Sequence, residues 1–277
     1  MSETIAESRT GKEVERFIDD YRRSIGKEPM YDINSIPPEA NRNYCPKCGT
    51  ISGWYFVGRD SNDYSFSIEC ECQKSRKSKQ RIEESGLSAL IKEWTFDSFK
   101  TTEPFQQKMA RMAISYARNI IDHKDGKQPW LFIGGQSGCG KSFICTAVCG
   151  KLMEERIPVL YMQWPTDARK LKAVANDPSF DDCYRDYINI PVLYIDDLLK
   201  QLHHEKPLPT DADVRIAFEI LNARYIQNKP TIISSEWLST ELREMDEATF
   251  GRVVERANGY LLDVPEDPKK DMRLRQK

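Results

Sequence analysis

The segment LFIGGQSGCGKSFICTAV limits the fold more than any other part of the chain, because it reads as an apolar strand, a glycine-rich turn and then a helix. Gly135, Gly140, Lys141 and Ser142 stand at every fixed position of the phosphate-binding pattern G-x-x-x-x-G-K-[ST]. Such a loop needs glycine where backbone N–H groups must turn inward, and the helix behind it adds the partial positive charge of its N-terminus. Gly135, Gln136, Ser137, Gly138, Cys139, Gly140, Lys141, Ser142 and Phe143 are therefore expected to wrap the phosphates of ATP. In this reading Lys141 reaches the β- and γ-phosphates and the Ser142 hydroxyl ligates Mg²⁺.

The rest of the C-terminal region supplies the layers such a loop requires. Short, β-rich apolar runs at Trp130–Ile133, Val159–Met162, Val192–Ile195 and Thr231–Ile233 read as buried parallel strands, and Gly259–Val264 as a last one. Helical patterns at Ser142–Arg156, Thr166–Ala175 and Ala212–Gln227 lie between them. The order predicts a three-layer α/β domain with a parallel sheet over residues 97–277. Within it PVLYIDDLLK is an apolar strand ending in two acids. Asp196 is expected to hold the Mg²⁺ shell and Asp197 to polarise the attacking water.

Residues 1–43 are polar, with helical character at Glu13–Ile25. Residues 44–74 contain Cys45-x2-Cys48 and Cys70-x-Cys72, with alternation in WYFVG and YSFSIEC that suggests two short strands. The first pair has the turn geometry of a zinc knuckle, so the four thiols are read as a closed, structural Zn²⁺ site that supplies much of the module's folding free energy. Residues 75–96 form a basic linker helix ending near Trp94. The run KSRKSKQR, Lys74–Arg81, reads first as solvated linker and second as a DNA contact. Cys139, Cys145, Cys149 and Cys183 read as buried or loop residues, and His123, His203 and His204 as surface ones.

With 41 basic and 43 acidic side chains the formal net charge is −2, which argues against nonspecific coating of nucleic acid but allows a local basic face. No apolar run approaches the ~20 residues of a membrane span, and the N-terminus has no apolar signal core. The expectation is a cytoplasmic protein without a membrane partner, whose cysteines are thiols or metal ligands and not disulfides.

CPKC with the later CEC, SGL…TFDSFK, GGQSGCGKS, VLYIDDLLK, PTDADVRIAFEILNARY, KPTIISSEW and DEATFGRVVERA occur in one order that resembles the DnaC-like helicase loaders of bacteria and their phages. These are AAA+ ATPases related to the IstB transposition helpers. The resemblance implies a γ-phosphate sensor at Ser235 or Glu236, and an arginine finger for the neighbouring subunit's ATP at Arg252 or Arg256, with Arg256 favoured. It also implies DNA contacts at Arg169, Lys170 and Lys172, with Trp164 or Tyr184 stacking on a base, and a lid-like role for Arg273. Implied partners are a replicative hexameric helicase, single-stranded DNA and further copies of the chain assembled through the ATP site. Three functions follow: an ATP-dependent helicase loader, a transposition helper ATPase, and a nucleotide-gated adaptor that does not hydrolyse ATP, which Asp197 in place of the commoner Glu keeps open.

Overall fold

The computed structural model describes residues 54–57, 66–69, 87–122, 126–173, 180–201 and 208–272. The chain divides into two units, Met1–Lys77 and Ser78–Lys277. In the first, β1 (Trp54–Val57) and β2 (Phe66–Glu69) pair antiparallel, with Trp54 opposite Glu69 and Val57 opposite Phe66. These are the two short strands that WYFVG and YSFSIEC suggest. Cys45, Cys48, Cys70 and Cys72 lie outside the described residues, as do residues 1–43, the Lys74–Arg81 run, His123, His203, His204 and Arg273. The Cys183 side chain lies outside them too.

The second unit opens with α1 (Leu87–Glu93) and α2 (Pro104–Asp122). Then come β3 (Leu131–Gly135), α3 (Lys141–Glu154), β4 (Val159–Gln163), α4 (Trp164–Ala173), α5 (Phe180–Asn189) and β5 (Val192–Asp196). The unit closes with α6 (Asp211–Ile226), β6 (Thr231–Ser234), α7 (Ser239–Met245), α8 (Glu247–Arg256), β7 (Leu261–Val264) and a 3₁₀ turn at Pro268–Lys270. The five strands form one sheet in the order β4-β5-β6-β3-β7, and every neighbouring pair is parallel. β3 and β6 are buried along their whole length, which their unbroken apolar runs require of strands covered on both faces. The edge strand β7 alternates between buried and half-buried positions.

Alternation along the strands separates two cores. Leu131, Ile133, Val192, Tyr194 and Ile232 face a layer that includes Met109 and Tyr116 of α2 and Ile144, Val148 and Leu152 of α3. Phe132, Leu193, Ile195 and Ile233 face the other, with Trp164, Ile216, Ile220, Phe250 and Val253. The three-layer parallel architecture follows.

The long helix α2 is not among the elements read from sequence. Pro104 begins it, at a first-turn position that tolerates a missing N–H. Its buried positions Gln106, Met109, Ala110, Ala113, Tyr116, Ala117 and Ile120 repeat at helical spacing. One glutamine and three alanines stand in that stripe, so Met109, Tyr116 and Ile120 are its large apolar side chains. α6 is fixed at its start by a capping box, in which Thr210 accepts from the Asp213 amide and the Asp213 carboxylate accepts from the Thr210 amide.

β3 sits between β6 and β7, while the chain leaving it returns at the far edge in β4. The C-terminal ends of β3, β5 and β6 thus gather beside a point where strand order reverses, where open parallel sheets place ligands.

Candidate nucleotide site

The loop between β3 and α3 is shaped by its glycines. Gly135, Gly138 and Gly140 have φ of 105°, 78° and 98°, in the region that L side chains rarely adopt. A side chain at Gly135 would also meet the Val264 backbone. Gly140 is the N-cap of α3 and brings no capping side chain to the amides of the helix's first turn. An uncapped helix start behind a glycine loop is a built anion cradle.

Lys141 is 5% exposed, and its ammonium donates to the carbonyls of Gly135 at 2.8 Å and Gln136 at 2.7 Å. Burial lowers its pKa from the ordinary lysine value. The Phe143 ring points away from the loop and stacks on Trp94, with centroids 5.1 Å apart, so only its backbone faces the cradle. Gln136 and Gly138 tie down the chain after β7: Gln136 Oε1 accepts from the Asp267 amide at 2.7 Å, and the Gly138 carbonyl accepts from the Met272 amide at 3.0 Å. Cys139 is buried, and burial pushes its thiol up.

Asp196, at the end of β5, lies against α3. One of its oxygens accepts from Ser142 Oγ at 2.8 Å, Tyr194 Oη at 2.7 Å and Ser234 Oγ; the other accepts from Tyr161 Oη at 3.0 Å. All four of these donors are hydroxyls. Burial and then the Asp196 charge push the Tyr161 and Tyr194 phenols up, so both remain protonated donors. Sequence reasoning missed Ser234, Tyr161 and Tyr194. Tyr194 was within reach of it, because it stands two residues before Asp196 and so on the same face of β5. Tyr161 depends on the β4–β5 register, in which it opposes Tyr194.

Among the described residues no group of three or more His, Cys, Asp or Glu side chains is arranged to hold a metal ion. Magnesium at a phosphate loop does not need one: a hydroxyl, a carboxylate, phosphate oxygens and water complete its octahedron. Ser142 Oγ and Asp196 Oδ1, 2.8 Å apart, could supply that protein contribution, and the donor set fits.

Asp197 turns away from β5 with φ of 57°. Its amide donates to Ser234 Oγ at 3.0 Å, and its carboxylate pairs with Lys200 Nζ at 3.0 Å. Burial, followed by the Asp196 charge beside it, raises its pKa above the ordinary aspartate value. Lys200 Nζ also lies 3.0 Å from Glu236 Oε1. Burial works against the Glu236 charge, but Lys200, Lys141 and a hydrogen bond from Ser137 outweigh it and hold that carboxyl below the ordinary range. Ser235 is fully buried; its hydroxyl donates to the Leu198 carbonyl at 2.8 Å and accepts from the Trp237 amide at 3.1 Å. Of the two candidate sensors, therefore, Ser235 is committed to the turn after β5 and Glu236 faces the loop.

A family model for the bacterial DnaA ATPase domain matches residues 90–256, more than half of the chain. The chain belongs to that family. Similar proteins include the phage-like element PBSX protein XkdC of Bacillus subtilis (strain 168), 29% identical over 259 residues that span 92% of this chain and 94% of that one. The replicative helicase loader DnaI of the same organism is 24% identical over 264 residues, 88% of this chain and 82% of its own. In fold, the replication initiator DnaA bound to AMPPCP and single-stranded DNA is similar with a TM-score of 0.50 at 18% identity, over 64% of this chain and 51% of that chain.

Two expectations change within this DnaA-type ATPase domain. Arg256 does not project from α8. It is 8% exposed, donates to Asn228 Oδ1 and the Tyr225 carbonyl at 2.8 Å each, and lies 4.6 Å from the Tyr225 ring centroid. The guanidinium is thus held within its own chain. Arg252, one turn earlier, is half-buried beside Phe218 and Tyr225.

The basic helix α4 divides as well. Arg169 and Lys170 are exposed, Lys170 at 3.0 Å from Asp167 of its own helix. Lys172 instead pairs with the buried Asp213 at 2.8 Å, beside the capping box of α6. Trp164 is 1% exposed and cannot stack on a base. Tyr184 is half-buried.

Proposed function

We propose that this chain is a magnesium-dependent ATPase that loads a replicative helicase onto single-stranded DNA. The observation that carries the reading is the convergence of an uncapped helix start, the Lys141 ammonium and the Ser142–Asp196 pair at the end of one parallel sheet. The loop amides Gly138 to Phe143 and Lys141 bind the phosphates, with Gly135, Gln136 and Ser137 shaping the turn. Bound Mg²⁺ would offset phosphate charge between Ser142 and Asp196. Asp197 orients water, Glu236 senses the γ-phosphate side, and Arg252 reaches the neighbouring copy's ATP, so that hydrolysis depends on assembly. The similarity to DnaI supports a helicase as partner, and the fold likeness to DnaA with AMPPCP and single-stranded DNA supports nucleotide and DNA as ligands. Arg169 and Lys170 are the DNA contacts this reading retains. Cys45, Cys48, Cys70 and Cys72 flank the β1–β2 hairpin in sequence, which supports one structural Zn²⁺ in a module of residues 44–74.

The test is equilibrium binding of ATP with Mg²⁺, followed by ATP-dependent loading of a hexameric helicase on single-stranded DNA. Retention of no adenine nucleotide by the purified chain would overturn the reading. Arg252→Ala is expected to spare ATP binding and to lower hydrolysis in the assembled state; unchanged hydrolysis removes the finger assignment. Metal analysis should find one zinc per chain, lost in Cys45→Ser.

One observation favours a second reading. Asp197 is paired with Lys200 and so is not a free base, which suits an adaptor that binds ATP and hydrolyses it slowly or not at all. Phosphate release measured with and without single-stranded DNA separates the two.

A further inference from the structure

The turn after β5 places a cation that neither the phosphate loop nor the acidic strand end requires. Lys200 Nζ lies 3.0 Å from Asp197 Oδ2 and 3.0 Å from Glu236 Oε1, and Glu236 in turn is hydrogen-bonded by Ser137 of the phosphate loop. We propose that Lys200 is a positioning residue of the nucleotide site, whose ammonium offsets the Asp197 and Glu236 carboxylates so that this mouth can accept the γ-phosphate of a nucleoside triphosphate. The inference rests on the ATPase reading and adds a residue to it.

Three observations carry it. First, the ammonium is held at a fixed place. Asp197 and Leu199 have φ of 57° and 61°, left-handed conformations that a non-glycine residue keeps only where its surroundings impose them. The surroundings here are hydrogen bonds from the end of β6 and the turn after it: Leu198 N to Ser234 O at 2.9 Å, Ser235 Oγ to Leu198 O at 2.8 Å, and Trp237 Nε1 to Leu199 O at 3.3 Å. The Lys200 amide donates to the Asp197 carbonyl at 2.9 Å, which folds the lysine back over the acid.

Second, the local charge is unbalanced without it. Asp196, Asp197 and Glu236 bring three carboxylates to the strand ends, and Lys141 is already turned onto the loop carbonyls. A triphosphate adds several more negative charges. Third, the pairs are half-exposed, with side-chain exposures of 31% for Lys200, 26% for Asp197 and 23% for Glu236. The three charged ends are therefore partly open to solvent, where an incoming anion can reach them.

The experiment measures ATP and ADP affinity, each with Mg²⁺, for the full chain, Lys200→Met, Lys200→Gln and the charge-conserving Lys200→Arg. Melting without nucleotide is recorded for each. Loss of the Lys200 charge should weaken ATP about tenfold and ADP less than about threefold, with melting nearly unchanged; Lys200→Arg should keep ATP affinity within about threefold of the unaltered chain. Lys200→Gln carries the same comparison if Lys200→Met does not fold. Unchanged ATP affinity in Lys200→Met, an equal loss for ATP and ADP, or a loss in Lys200→Arg as large as in Lys200→Met overturns the role of Lys200 alone. An unaltered chain that binds neither nucleotide overturns the ATPase reading and this inference together.

Discussion

Where β5 and β6 begin, the completely buried Arg224 donates to the carbonyls of Tyr187, Ile188, Ile190, Pro191 and Pro230 and to Thr231 Oγ1. At the start of β3, Arg256 gathers the Gln128 and Tyr225 carbonyls and Asn228 in the same way. No carboxylate is among these partners; the bonded nitrogens meet neutral oxygens that the ends of strands and helices leave over, while the buried Arg256 Nε has no partner among the described residues. Where the same strands finish, the ionisable groups crowd one another. Asp196 is ringed by hydroxyls, Asp197 carries a pKa raised by burial and by Asp196, and Lys141 is lowered by burial. One end converts buried charge into cohesion. The other brings carboxylates and ammonium groups together at the ends of β5 and β6 and at the glycine loop after β3.

If that division is right, substitutions at the first end cost stability and leave nucleotide affinity alone, and those at the second do the reverse. The largest effect is expected from Arg224→Met, which strands several buried carbonyls at once. A loss of about 3–4 kcal/mol follows, since some of those carbonyls keep a helix or strand partner, and melting should fall by roughly 6–16 °C. Nucleotide affinity of the folded protein should not change. A melting point that does not move would mean the oxygens find water, and the contrast would fail at its strongest point.

Next is Lys141→Ala. Removing a charged donor to phosphate should weaken ATP about 100-fold, or ~2.7 kcal/mol. Folding should be unaffected or slightly strengthened, because a desolvated ammonium goes with it. Calorimetric binding and a melt of the same sample read both halves. The two arginines of α8 give a third test. Arg256→Ala should cost about 2 kcal/mol of stability, and Arg252→Ala less than about 0.5 kcal/mol. Equal losses would return Arg256 to the surface.

That last pair shows what the sequence held and what it did not. Phe250, Val253 and Ala257 mark the buried stripe of α8, and Arg256 follows Val253 by three residues, so helical spacing alone puts it near the core side. The signal was available. For Ser234 it was not: IISSE offers three polar residues at a strand end, and which of them meets Asp196 depends on a β5–β6 register set by tertiary packing. Strands β3 to β7 were legible within a residue or two because buried parallel strands are continuous apolar runs. Arg224 sits inside AFEILNARY, where nothing local separates an arginine bound by six oxygens from one in water. Asp196 and the phosphate loop were legible because their chemistry fixes their spacing.

The smallest effect concerns a carboxylate on the loop side of the sheet that nevertheless belongs with the arginines. Asp213 is 1% exposed and accepts from Thr210, Gln201 and Lys172 at the start of α6. Burial alone would raise its pKa, but Lys172 and the Thr210 hydrogen bonds outweigh burial and lower it. A carboxylate whose folded pKa lies below its unfolded value of about 3.9 stabilises the fold above that pH, and the contribution is lost as pH falls through the folded pKa. Lys172 is about one-third exposed, so Lys172→Met should cost no more than about 1 kcal/mol at pH 7. The difference between the two proteins should be constant from pH 7 down to about 5 and then close as Asp213 takes up a proton. Urea unfolding of both chains across that range measures it. A gap that persists in acid would assign Lys172 to packing through its aliphatic stem, and a gap that appears only with DNA present would return it to the basic face of α4.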